Sequence, residues 1–330
     1  MKKYSYFFFR GCRYLLRQIK LGWACLTGHH KTTTLYEKRV ELFDQQANDY
    51  IYKLLSTGSP CMISKFGMTE MSALANYRLA QKGTLSFRDV LEYIQGKRLT
   101  IGNITNLNGL YNLSGFFPND ISLLPRFYEV NLAAMKAIDV LGSYIYDEKE
   151  FDQELMTCKR VNLDGYYAPF YWNNPWTSIL KGKKVLVVHP FAEEIRDQYK
   201  RRELLWENPN ILPKFELITY KAVQSILGTQ TKFSTWFDAL DKMKADISQL
   251  DFDIALIGCG AYGMPLAAHV KAMGKQAIHL AGWTQVLFGI IGKRWEDNPQ
   301  TSTYINKYWI RPYSTNVPHN AAKVESGCYW

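Results

Sequence analysis

No two cysteines of this 330-residue chain form a C-x-x-C pair, and no zinc spacing occurs among its six cysteines and six histidines. That excludes a sequence-encoded zinc site or thioredoxin-like motif, and six scattered thiols suit a reducing cytosol. Internal repeats and low-complexity stretches are missing too. Long apolar runs are lacking: Arg10, Arg13 and Arg17 interrupt the aromatic N-terminal segment, so neither a signal peptide nor a spanning helix fits. The charge is also poorly spread for a nucleic-acid binder. Of the net +10, residues 1–40 hold +8, from nine lysines and arginines against Glu37, leaving +2 for the rest. A nearly neutral body offers no track for phosphates.

What is present is an ordinary globular composition, 47% hydrophobic and 21% charged. Three regions are expected: a basic amphipathic segment at 1–40, an α/β domain at 41–300, and an irregular tail at 301–330. In the first, helical spacing gathers Phe8, Cys12, Leu15, Ile19, Trp23 and Leu26 into one arc of about 80°. Arg10, Arg13, Arg17 and Lys20 fall in an arc about 140° away. Such a helix either lies on an anionic membrane surface or packs on the protein body. "TLYE" at 34–37 has capping-box spacing and predicts a helix running on to Gly58. "CMISKFG" predicts a strand and turn, and "TEMSALANYRLAQKG" a helix. "ISLLPRFYEVNLAAMKAIDVLGSY" reads as one long helix. From Lys183 to Leu280 strands and helices alternate, predicting a Rossmann-like, mostly parallel, doubly wound sheet with helices on both faces.

Gly258, Gly260 and Gly263 match G-x-G-x-x-G between a strand and a helix. A dinucleotide site also needs an acid about 20 residues on, for the ribose. "QAIHLAGWTQ" has none, and His279 stands in the neighbourhood, so NAD is not expected. The glycines then serve either an anion at a helix N-terminus or close strand–helix packing.

"SKFGMTE" early and "DFDIALIGCGAYGMPLAAHVKAMGKQAIHLAG" late resemble the GT-D-type bacterial glycosyltransferases. The likeness spans roughly residues 45–295, and "SGFFPND", "GKKVLVVHPF" and "FGIIGKRW" look like a surface-polysaccharide subgroup. The resemblance implies a transferase moving sugar from a nucleotide-sugar to a glycan or lipid-linked acceptor, in the cytoplasm or on the inner face of the cell membrane. Lys65, Phe66, Gly67 and Glu70 fall on the family's early motif. Met68 replaces the Asp of its Asp-x-Glu metal pair, so Mn²⁺ or Mg²⁺ on Glu70 is in doubt. Lys65, Lys293 and Arg294 could supply the positive charge directly. The glycine turn would complete the donor site. Catalytic candidates are Glu70, His189 and Glu193 or its neighbour Glu194; Trp172 and Trp176 are candidates for stacking on the acceptor sugar. "DQE" at 152–154 reads as a chance match on the surface, and "DFD" at 251–253 as a strand start.

Overall fold

The computed structural model describes residues 3–28, 39–83, 86–98, 100–102, 104, 107–324 and 327–330, with backbone alone for 3–13. The capping box at 34–37 and the side chains of Phe8, Arg10, Cys12 and Arg13 therefore lie outside the described residues. The elements are α1 (Lys3–Thr27), α2 (Asp44–Ser56), β1 (Cys61–Ser64), α3 (Met68–Lys82), α4 (Phe87–Ile94), α5 (Leu124–Met135), β2 (Val140–Gly142), β3 (Lys159–Val161) and α6 (Leu163–Tyr167). There follow β4 (Lys184–His189), α7 (Ala192–Tyr199), β5 (Glu216–Lys221), α8 (Trp236–Ile247), β6 (Ile254–Ile257), α9 (Gly263–Ala272), β7 (Gln276–His279), α10 (Trp283–Leu287) and α11 (Lys293–Glu296).

The seven strands form one sheet, ordered β3-β2-β1-β7-β6-β4-β5, and every pairing is parallel. The fold is thus α/β and Rossmann-like. A parallel sheet needs cover on both faces, and the strand residues divide accordingly. Met62, Leu186, Val188, Ala255, Ile257 and Ala277 join a core with residues of α3, α5, α8 and α9. Their neighbours Cys61, Ile63, Val185, Val187, Ile254, Leu256 and Ile278 join a second core with residues of α2, α6, α7 and α10. The period-2 alternation of a strand produces both cores at once. Local signals agree where they are strong. Thr235 and Asp238 close a capping box at the start of α8, and Gly83, at φ +70°, ends α3.

Three expectations are corrected. The long helix predicted around residues 121–144 stops at Met135, and Val140–Gly142 is a strand. Its three residues are fully buried on both sides, so no alternation distinguishes them from helix. The helix expected to reach Gly58 begins only at Asp44. The helix that the alternation from Lys183 implies after β4 ends at Tyr199 and continues as turns.

Candidate functional site

β4 connects to β5 on one side of the sheet, while the neighbouring β6 connects to β7 on the other. The connections diverge between β4 and β6, and in open α/β sheets ligands bind at that point, outside the carboxyl ends of the strands. A cavity of about 310 Å³ lies there. Its wall is built from chain leaving β1 (Lys65, Gly67), β4 (His189, Pro190), β5 (Val223–Ile226), β6 (Gly258–Gly260) and β7 (His279, Ala281), closed by Tyr144, Arg294, Tyr329 and Trp330. Its charged side chains are Lys65, Glu70 and Arg294, two cations against one carboxylate.

Lys65 leaves the end of β1 half-buried in the cavity wall. Burial pushes its pKa down to about 8; Glu70 opposes that shift and Arg294 adds to it. The ammonium lies 5.5 Å from the ring centroid of Tyr144, whose hydroxyl donates to the Phe66 carbonyl at 2.9 Å. Glu70 occupies the first turn of α3, and its carboxylate folds back over Gly67: a β-carbon there would sit 1.9 Å from Oε2. The glycine of "KFG" is thereby explained by the acid three residues later. Arg294 opens α11; its guanidinium lies 4.8 Å from the Tyr329 ring centroid and donates to the Tyr329 hydroxyl at 3.3 Å.

His189 ends β4. Its Nδ1 accepts the backbone N–H of Phe191 at 3.0 Å, which leaves the proton on Nε2. Burial lowers its pKa to about 3. In this geometry His189 is a neutral hydrogen-bond donor, not a base. His279 ends β7 beside Ser64, with Nδ1 3.1 Å from the hydroxyl; its buried Nε2 has no hydrogen-bond partner. Burial first and Lys65 second hold its pKa down at about 3.

The three glycines are each required by packing. A β-carbon at Gly258 would lie 2.4 Å from the Ala281 carbonyl and 2.8 Å from the His189 ring. Gly260 has φ +57° and faces the Ser114 carbonyl. At Gly263 a β-carbon would lie 2.2 Å from His279 Nε2. His279, standing near the missing acid, is what the third glycine makes room for. Gly258 and Gly260 also line the cavity; Gly263 does not.

Of the other sequence candidates, Met68 lines the cavity beside Glu70, and Phe66 is buried in the core behind it. Lys293 is exposed outside the cavity lining. Glu193 is half-exposed on α7, 3.4 Å from Lys221, whereas Glu194 is fully buried and receives the backbone N–H of Tyr313 and the side chain of Asn316, at 2.9 and 2.8 Å. Trp176 is sealed in the core, its indole donating to the Tyr166 carbonyl at 2.8 Å, so no sugar can stack on it. Trp172, donating to the Asp164 carbonyl, lies outside the cavity wall. Asp152 and Glu154 are spent on Arg39 and Arg78. Asp253 accepts the backbone N–H of Lys184 at the start of β4, the end of the strands away from the cavity.

The aromatic wall comes instead from Tyr144, Phe191, Tyr262, Tyr329 and Trp330, the last two marked by no periodicity. The tail is seated by Gln285, donating to the Tyr329 carbonyl at 3.1 Å, and by the Arg294 N–H on the Cys328 carbonyl. Glu194 holds the preceding stretch of the same tail. Glu194→Ala leaves two donors without their acceptor, at about 1–3 kcal/mol each. We expect a melting temperature lower by several degrees and faster proteolytic cleavage after residue 310, read by mass spectrometry of timed digests. Unchanged cleavage would remove Glu194 as the clasp.

Among the described residues Glu70 is the carboxylate of the cavity wall, and two cations line the same cavity. Among the described residues no three His, Cys, Asp or Glu side chains group as metal ligands. Mg²⁺ is commonly bound by one or two carboxylates together with substrate phosphates and waters, and Glu70 is the carboxylate that could take part here. The cavity therefore presents two cations and a carboxylate, an arrangement suited to an anionic small molecule. The chain matches no protein-family model, no curated protein and no solved structure.

Proposed function

We propose that the chain is a glycosyltransferase of bacterial surface-glycan assembly, moving a sugar from a nucleotide-sugar to a glycan or lipid-linked acceptor. The observation that carries this reading is the convergence of half-buried Lys65 and exposed Arg294 on one cavity at the diverging strands, with Glu70 in the same wall. The donor diphosphate lies against the two cations. Glu70 takes the proton of the acceptor hydroxyl as its oxygen bonds to the anomeric carbon, and the bond from that carbon to the diphosphate oxygen breaks. Lys65 and Arg294 receive the charge left on the diphosphate, the task a metal performs elsewhere. His189 donates a hydrogen bond from Nε2. The protein works at the cytoplasmic face of the membrane, attached peripherally through residues 1–40.

A melting-temperature panel of UDP-, GDP-, dTDP- and CMP-sugars, each with Mn²⁺, Mg²⁺ or EDTA and alongside NAD(H), tests the reading. A ligand of the native state raises the melting point by mass action. One nucleotide-sugar is expected to do so equally with EDTA. With that donor, Glu70→Gln should lower transfer by about 100-fold or more while leaving binding within a few-fold, as loss of a proton acceptor does. A shift from NAD(H) alone would overturn the proposal.

A further inference from the structure

Apolar surface ordinarily turns inward and charge outward when a helix packs on a protein. α1 departs from this rule at Lys20 and along its outer face. Among its described side chains the less exposed are Leu16, Lys20 and Ala24, spaced by four residues along the stripe that meets the body. Lys20 reaches over the ring of Tyr93 on α4, 4.3 Å from its centroid, and donates to the Arg98 carbonyl at 3.4 Å. Arg17 lies near enough to oppose the burial-driven rise in the Tyr93 pKa, and Asp147 attracts Lys20 from below. Asp89, Glu92 and Glu150 gather close by around the buried Arg98. Lys20, from the cationic arc, therefore rests on an acidic part of the protein.

The apolar arc is left outside. Leu15 is 60% exposed, Ile19 44%, Trp23 44% and Leu26 87%. On α4, the helix beneath, Phe87 is 85% and Leu91 42% exposed, again one helical turn apart. No described helix is long and apolar enough to cross a bilayer.

We infer that the exposed apolar face of α1, extended by Phe87 and Leu91 of α4, is a membrane-docking surface that inserts into the outer few ångströms of a phospholipid bilayer. Its occupant follows from charge. Residues 1–40 carry +8, which repels a second copy of the same segment and attracts an anionic leaflet. Apolar contact, not cation–lipid pairing by Lys20, holds the protein there, because Lys20 is engaged with the body. The inference deepens the peripheral-membrane part of the proposed function and is independent of sugar transfer.

The test is flotation of the full chain with vesicles of phosphatidylcholine and phosphatidylglycerol, with no donor present. Wild type is expected to float. Ile19→Glu/Trp23→Glu should reduce the bound fraction at least fivefold, and Phe87→Glu/Leu91→Glu, on a separate helix, should reduce it at least twofold. The altered side chains are exposed, so the melting point of the body serves as the folding control. If wild type floats and both variants float equally well, attachment stands through the cations and the apolar-docking inference falls. If wild type does not float, the inference and the peripheral placement fall together, while the donor panel still judges transfer. A wild-type dimer that the α1 variant converts to monomer, without flotation, would assign the face to a second copy instead.

Discussion

A Lys65→Met variant is expected to melt higher than the wild type and to bind nucleoside diphosphate about 100-fold more weakly. Both effects have one cause. An ammonium held at a pKa of about 8 in the folded protein, against an ordinary 10.5, carries a burial penalty of order 3 kcal/mol. Methionine has similar length and no charge to desolvate, so its folded state escapes that penalty. An anion in the cavity would lose the charged partner that strengthens its binding, a loss of about 2–5 kcal/mol for such charged pairs. The pH dependence has a definite sign. Below pH 8 Lys65 is charged in both states and the penalty is fully present. Between pH 8 and 10.5 the unfolded chain holds the proton that the folded chain has released, so wild-type stability rises toward that of the variant. Diphosphate binding moves the other way. The charged form is about a tenth of the population one unit above the folded pKa, so affinity falls about tenfold from pH 7 to 9. Calorimetric titration with UDP at pH 7 and 9, beside melting curves of both proteins, measures each term. A methionine variant that binds UDP like the wild type would remove Lys65 from the site.

Gly263→Ala should destabilise the protein by about 3 kcal/mol or more, through overpacking in a site that cannot give. The added carbon would meet Nε2, Cδ2 and Cε1 of His279 at 2.2–3.0 Å. The ring cannot retreat easily: it lies beside Ser64, and Tyr166 hydrogen-bonds to its carbonyl. Replacing the ring relieves the conflict, so Gly263→Ala/His279→Ala should be more stable than the two single changes sum to, by about 2 kcal/mol in the cycle. Denaturant unfolding of the four proteins supplies that number. The result separates two meanings of the glycine turn. A glycine kept for a dinucleotide would show little change in stability and no coupling to His279.

The fold was largely legible because its signals are local and repeated. "KKVLVVH" and "DIALIG" are short apolar runs flanked by turn chemistry, and helices of clear amphipathic period separate the strands. The three-residue β2 carries no such signal, whereas α4, a short helix, is marked only by its Ser86–Asp89 capping box. At the site, the motif positions Lys65, Gly67, Glu70, Gly258 and Gly260 line one cavity with His189 from a strand end and Arg294, whereas Phe66, Gly263, Lys293 and Glu193 lie outside its wall. Trp172 and Trp176 are marked by residue type alone. An aromatic side chain carries no mark of which core or surface it joins, and Trp176 joined the core.

The sequence by itself determined the parallel α/β class, through the alternation of strand and helix patterns, and it concentrated the excess positive charge in the first 40 residues. Tertiary structure alone decided three matters. It brought Arg294, Tyr329 and Trp330, some 230–265 residues beyond Lys65 in the chain, to the same cavity wall. It turned Glu194 inward to the tail and left Glu193 outside. It set α1 with Lys20 inward and Trp23 outward. The physical reason is shared: a periodic pattern constrains what lies within a few residues along the chain, whereas a cavity joins the ends of strands that neighbour each other only in the sheet.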